Sequence, residues 1–338
     1  MFNSCRRFWL GVAAFAAIGG IFACSGSSQP SSASSGNAAS APDASNQSAT
    51  PKLAEVAPPA DQTGGFDGAK AYEHVAKIVS FSPRPPASEG LHQTQDYIIA
   101  QLKSYGCEID QDDFHASTPK GDVAMKNIVA KAPGTGKGIV LLLTHVDSLS
   151  SVPNFVGAED SASSTGLMIE MARQLCGKKD QPNSVWIAFL DGEEAFVDWN
   201  QNGDHTYGSR ELAARMALSG DLKRVKAVLL ADMIGQYGLH IDRQSDSPRW
   251  LTDLVWKTAD RLGYSNIFVS QETTTDDDHD PFLQRGVPAL DIIDLTDYIN
   301  EGYWHTPQDT LDKVSPRSVA IVGHVILESV GELQKKFH

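Results

Sequence analysis

The 338-residue chain is short of positive charge, of cysteine and of long apolar runs. Twenty-eight Lys and Arg stand against 42 Asp and Glu, a formal charge of −14. Nucleic-acid binding needs clustered cations against phosphate, so this balance argues against that class of partner. Four cysteines without a CxxC pair do not make a disulfide-dense scaffold. Phe8 to Ala23 is an uncharged run of only 16 residues, short for a bilayer core of ~30 Å. There is no internal repeat. What remains is ordinary: 41% hydrophobic and 21% charged residues, the composition of a globular protein.

The N-terminus reads as an export signal. Arg6 and Arg7 precede the apolar run, and Ile21-Phe22-Ala23-Cys24 resembles a bacterial lipobox. Residues 1–23 are therefore expected to be a lipoprotein signal peptide. Cys24 is expected to carry lipid and hold the protein on the bacterial cell envelope. From Ser25 to Thr50 there are ten Ser and six Ala, and no aromatic follows Cys24 until Phe66. Such a segment cannot bury enough apolar surface to offset its chain entropy, so residues 24–65 are expected to be a flexible tether. Residues 66–338 form the expected catalytic domain. Cys107 and Cys176 remain as a disulfide or as two buried thiols. The sequence does not fix the oligomeric state.

Within 66–338, apolar runs alternate with helical spacing. Helices are expected at Asp67–Val79, Gln93–Leu102, Ser161–Leu175, Ser209–Ala217, Pro248–Leu262 and Ser315–Lys336. Strands are expected at 127–130, 138–143, 185–190, 227–230, 267–269 and 288–293. That alternation gives a three-layer α/β fold, a central mixed and largely parallel sheet with helices on both faces.

Ligands of open α/β sheets bind beyond the carboxyl ends of the strands. His145, Glu193-Glu194 and Asp232 follow apolar strands, His305 lies in a loop after another, and Asp160 opens a helix after a glycine-containing loop. Singly, each is a weak signal, and Asp160 alone would read as a helix cap. Together they place five ionisable positions against apolar strands, where unpaired charge is costly. Imidazoles and carboxylates converging in one cleft make a cation site, with zinc the usual occupant.

Five segments sharpen this. Thr144-His145-Val146-Asp147-Ser148, Gly157-Ala158-Glu159-Asp160-Ser161-Ala162, Asp191-Gly192-Glu193-Glu194-Ala195, Asp232-Met233-Ile234-Gly235 and His305-Thr306-Pro307-Gln308-Asp309-Thr310 follow one another in order. So does the earlier stretch from Ala71-Tyr72 through Pro83-Arg84-Pro85. The set resembles zinc aminopeptidases of the bacterial leucyl aminopeptidase type. It also resembles the animal-type glutaminyl-peptide cyclotransferases, which share that fold. The peptidase resemblance implies two zinc ions on His145, Asp160, Glu194, Asp232 and His305, with Glu193 as base. The cyclotransferase resemblance implies one zinc on Asp160, Glu194 and His305.

Three features resemble the cyclotransferases more. These are Asp191 through Trp199 to Tyr207-Gly208-Ser209-Arg210, then Asp277-Asp278-His279 with Pro281-Phe282-Leu283, then Trp304 before His305. Asp291 departs from them, standing where the animal enzymes have a histidine, and Pro307–Thr310 looks more like the peptidases. The expectation is a zinc-dependent glutaminyl cyclase acting on peptide or protein N-termini. Glu193 would be its proton shuttle, Asp232 and Asp277 would help with the amine and proton network, and Trp199 and Trp304 would frame the substrate. A zinc aminopeptidase, with His145 and Asp232 completing a second metal position, and a non-catalytic binding protein remain as alternatives.

Overall fold

The computed structural model describes residues 55–178, 180–200 and 203–338. The expected signal peptide, Cys24 and most of the expected tether lie outside the described residues. Among the described residues there are eight strands: β1 (Glu108–Thr118), β2 (Gly121–Ala132), β3 (Ile139–His145), β4 (Ser184–Leu190), β5 (Val225–Asp232), β6 (Ile241–Gln244), β7 (Phe268–Thr273) and β8 (Ala289–Ile293). Six form one sheet in the order β1-β2-β4-β3-β5-β8, and β6 pairs with β7 separately. β4, β3, β5 and β8 run parallel, while β1–β2 and β2–β4 are antiparallel. The carboxyl ends of four strands therefore share one edge.

The helices are α1 (Gly68–Val79), α2 (Glu89–Ser104), α3 (Ser164–Leu175), α4 (Tyr207–Ser219), α5 (Arg249–Arg261), α6 (Asp280–Leu283), α7 (Leu295–Asn300) and α8 (Pro316–Lys336). Their starts carry local signals. The Asp67 carboxylate accepts from Lys70 N–H, Ser88 from Leu91 N–H and Ser315 from Ser318 N–H, each satisfying an otherwise unpaired first-turn donor. All seven residues of β3 are buried, and its period-2 alternation divides the core. Val140 and Leu142 pack with residues of α1, α2, α3, α5 and α8. Ile139, Leu141 and Leu143 pack on the other face with Leu212, Ala213 and Met216 of α4 and with Phe282. The three layers are as expected.

The structure differs from the sequence reading in several places, among them the short helices α6 and α7, which were not expected. β1 was not anticipated, because Glu108, Asp110, Asp112 and Asp113 hide its alternation. It is an edge strand, where charge is tolerated and blocks further pairing. Its carboxylates meet cations, with Lys131 Nζ 3.1 Å from Asp110 and Arg215 Nη1 3.1 Å from Asp112. The short β6 was also missed. The boundary of the tether moves too: Glu55–Gly65 is part of the fold rather than of a flexible segment. Ala60–Gln62 make a 3₁₀ turn, and buried Thr63 donates its hydroxyl to the Phe66 carbonyl at 2.6 Å. Ser315 Oγ donates to Glu55 at 2.8 Å. Phe66 itself is fully buried against Gly323 of α8, where a Cβ would stand 2.3 Å from the Phe66 ring. Composition conceals this anchoring, since it depends partly on Ser315 and Gly323, more than 250 positions away.

Cys107 and Cys176 are disulfide-bonded across a separation of 69 residues, joining the end of α2 to the end of α3. Closing a loop of that size restricts the unfolded chain by about 4 kcal/mol in the chain-entropy description. A Cys107→Ala/Cys176→Ala variant should lose about 2–4 kcal/mol of unfolding free energy in denaturant titrations. An unchanged transition midpoint would contradict a stabilising role.

Candidate active site

The site is built at the shared carboxyl edge. His145 is the last residue of β3, and Asp232 is the last of β5. Glu193 and Glu194 follow β4 through Gly192, whose φ of +74° turns the chain sharply. A Cβ at Gly192 would sit 2.6 Å from the Met125 sulfur, so glycine also lets the strand pack closely. Asp160 lies in the irregular turn Ala158–Ser163 before α3, with an extended backbone of φ −110° and ψ 89°. It is not a helix cap: its carboxylate points at imidazoles. His305 sits in the loop after α7 at φ +53°, a left-handed conformation that costs energy in a non-glycine residue and concentrates at functional sites. Trp304 stacks on it at 4.1 Å, and Phe155 meets it edge-on at 6.2 Å.

These residues form two triads that share Asp160. In the first, His145 Nε2 is 3.1 Å from Asp160 Oδ1 and 3.1 Å from Asp232 Oδ1. In the second, His305 Nε2 is 3.4 Å from Asp160 Oδ2 and 3.5 Å from Glu194 Oε2. Glu193 belongs to neither triad. Its carboxylate is 3.7 Å from His145 Nδ1 and faces the cleft. The cleft holds about 500 Å³ and is lined by Glu193, Glu194, Asp232, Asp277, Trp199 and Trp304 among others. Every site residue expected from the sequence thus lies on or beside this cleft. Asp277 is buried at its inner wall, Trp304 is 38% exposed at its mouth, and Trp199 stacks on His205 at 4.1 Å.

The residues suit a cation. Both Glu194 carboxylate oxygens are buried without a hydrogen-bond partner. Burial pushes Glu193, Glu194 and Asp277 well above the usual carboxylate range, and neighbouring carboxylates add to it. Burial opposes a charge on His145 too, yet Asp232 and Glu193 hold its pKa well above the ordinary value. For Asp160, burial is outweighed by His145 and His305, and its carboxyl stays low. A divalent ion would relieve the surplus of negative charge. The separations of 3.4–3.5 Å in the second triad exceed good hydrogen bonds. They match the ~3.3–3.6 Å between neighbouring ligands of a tetrahedral ion with bonds of ~2.0–2.2 Å.

Several residues that shape the site carried no role in the sequence reading. Asp147 accepts from Glu193 N–H at 3.1 Å and Glu194 N–H at 3.2 Å, fixing the loop after β4. Asp309 does the same for Glu159 N–H at 2.7 Å and Asp160 N–H at 3.2 Å, and burial lifts its pKa to about 7. Glu159 accepts from Gly235 and Gln236 N–H, tying the turn to the chain after β5. All three stood inside the recognised segments, but they act through backbone amides, which composition does not display. Asp291 is fully buried on β8, both oxygens unpaired, and its carboxyl is raised well above the usual range by burial and then by Asp277 and Asp232.

With this geometry in view, comparison with known proteins is decisive. Residues 127–330 match the family described as Peptidase family M28. A glutaminyl-peptide cyclotransferase-like protein of Mus musculus is 33% identical over 283 residues, covering 74% of this chain and 72% of that protein. The chain belongs to peptidase family M28, on its glutaminyl-peptide cyclotransferase branch. A solved glutaminyl cyclase of an Acidobacteriales bacterium is 39% identical, with a TM-score of 0.76, covering 80% of this chain and 96% of that one. A Zn-dependent exopeptidase of Parabacteroides distasonis shares the fold at 25% identity and a TM-score of 0.71, over 78% of this chain and 97% of the other. Branch members and peptidases thus sit on one scaffold, as the ordered segments imply.

The loops that carry these residues depend on one buried cation. Arg84 is fully buried and donates to Val146 O at 3.2 Å, Val156 O at 2.8 Å, Gly157 O at 3.0 Å and Ser82 Oγ at 2.6 Å. It thereby pins both ends of the segment between His145 and Asp160. Burial lowers its pKa to about 10, still far above neutrality, with Asp309 and Asp160 supporting the charge. Arg84→Met should strand several buried acceptors, lowering stability by at least about 3 kcal/mol. Bound metal should fall with it. Thermal unfolding and metal content near wild-type values would contradict that role.

Proposed function

We propose that this protein is a zinc-dependent glutaminyl cyclase. It converts N-terminal glutamine of peptides or proteins to pyroglutamate and releases ammonia. One observation carries the reading: a carboxylate outside both metal triads, Glu193, faces a cleft walled by Trp199 and Trp304 beside the Asp160–Glu194–His305 group. The branch to which the chain belongs supports it.

Asp160, Glu194 and His305 would hold one Zn²⁺, which supplies Lewis acidity to the side-chain amide oxygen. The substrate's own α-amine is the nucleophile, so no activated water is needed. Its nitrogen forms a bond to the side-chain carboxamide carbon, the bond from that carbon to the amide nitrogen breaks, and the five-membered lactam closes. Glu193 takes a proton from the attacking amine and gives one to the leaving nitrogen, which departs as ammonia. Asp232 and Asp277, facing the same cleft, orient the amine and hold the proton network. Trp304, fixed by its stack on His305, and Trp199 frame the flat carboxamide and keep bulk water away.

The intact first triad favours the second reading, a zinc aminopeptidase, because His145 and Asp232 stand ready for another ion. Products decide between them. A Gln-initiated peptide should lose one ammonia without chain shortening, and a Leu-initiated peptide should be unchanged. Release of free leucine would support the peptidase instead.

Glu193→Gln keeps shape and hydrogen bonding but cannot carry a proton. It should retain zinc while kcat on a Gln-initiated peptide falls ~10²–10⁴-fold. His305→Ala should lose both zinc and activity. Full zinc with at least half of wild-type kcat in Glu193→Gln would remove the shuttle from this reaction.

We also propose that the protein is held on the bacterial cell envelope by lipid on Cys24. The lipobox-like Ile21–Cys24 and the Ser/Ala-rich stretch after it support this. No helix among the described residues is long and apolar enough to cross a membrane. The Cys107–Cys176 bond suits an oxidising compartment. Cys24→Ala should abolish partitioning into detergent and leave the specific activity of the domain intact. An intact mass with residues 1–23 retained would contradict it.

A further inference from the structure

Away from the two triads at the strand ends, a third histidine–carboxylate group lies among the described residues: Asp246, His279 and Asp280. His279 is fully buried, yet neither of its ring nitrogens has a hydrogen-bond partner. An imidazole buried in that way bears its full desolvation cost. Its Nε2 is aimed at two carboxylates, 3.6 Å from Asp246 Oδ2 and 3.7 Å from Asp280 Oδ1. Those separations are too long for hydrogen bonds. They lie close to the ~3.3–3.6 Å expected between neighbouring ligands of a tetrahedral ion. The three ligand atoms lie within 4.8 Å of one another. The Asp246 and Asp280 side chains are 30% and 25% exposed, which leaves a path for an ion and room for water to complete its shell.

We propose that His279, Asp246 and Asp280 bind a further divalent cation of the zinc class, separate from the Asp160 site. One imidazole with two carboxylates is a borderline donor set, which suits Zn²⁺ better than the all-oxygen preference of Ca²⁺ or Mg²⁺. The position gives the ion a structural task. His279 directly follows Asp277 and Asp278 and precedes α6, while Asp246 lies just beyond β6. The two segments are already joined at their other end. Ser245 N–H donates to Thr273 O at 2.9 Å, and Thr275 N–H donates to Gln244 Oε1 at 3.1 Å. An ion at His279 would close the far end of this loop and fix the wall of the cleft that carries Asp277.

Full-chain protein is stripped with chelator, reloaded with ZnCl₂ alone, desalted and assayed for zinc per chain. Asp246→Asn and Asp280→Asn should each hold about one zinc fewer than wild type, with unchanged circular dichroism. Both positions are partly exposed, and the two variants check each other's folding. Equal zinc in wild type and in either folded variant overturns the proposal. The readout is a difference in metal content, so it stands apart from whichever reaction the cleft performs.

Discussion

Buried negative charge at one edge of the sheet is the constraint on which this structure depends. Asp147, Glu159, Asp160, Asp191, Glu193, Glu194, Asp232, Asp277, Asp278, Asp291 and Asp309 are all buried. Few cations share that interior. Among the described residues Arg84 is the fully buried guanidinium, and Asp232 and Glu193 favour the charged form of the enclosed His145 imidazole. Carboxylates so arranged stay ionised only beside a compensating charge, and a divalent ion is the compact way to provide one. The same imbalance makes the cleft suited to a cationic or polar N-terminus and unsuited to phosphate.

Rigidity around that charge comes from short polar links to backbone. Asp147 and Asp309 each clamp two successive N–H groups, and so fix Glu193-Glu194 and Glu159-Asp160 from the side away from the cleft. Arg84 fixes the loop between them. The candidate ligands are thus placed by groups outside the lining of the cleft, and the left-handed backbone at His305 is accompanied by stacking on Trp304. Preorganisation of this kind lowers the reorganisation needed when charge shifts during reaction.

A shared scaffold explains why fold alone does not choose the chemistry. Cyclisation and hydrolysis both require a polarised amide and a carboxylate that moves a proton. They differ in whether the nucleophile comes with the substrate or from water. Glu193 is placed to serve in either. The aromatic walls and the occupancy of the position beside His145 are what separate them, and both depend on the cleft as assembled.

Much of this was legible in the residues. The parallel strands β3, β4, β5 and β8 are mostly apolar along their length, because both faces are covered. Their ends carry His145, Glu193-Glu194 and Asp232, because open α/β sheets place ligands there. Helices α1 and α8 announced themselves by the helical spacing of their apolar residues. The acidic edge strand β1 did not, since its charge is matched by Lys131 and Arg215 from other segments. Nor did Glu55–Gly65, whose hydrogen bonds to Ser315 and Gln174 join it to segments remote in sequence. The Cys107–Cys176 bond and the grip of Arg84 also emerged only in three dimensions. The sequence by itself determined which side chains could take part, through local period, capping and the chemistry of each donor. Only the tertiary structure decided which of them meet, because pairing, burial and loop support arise from contacts between distant segments.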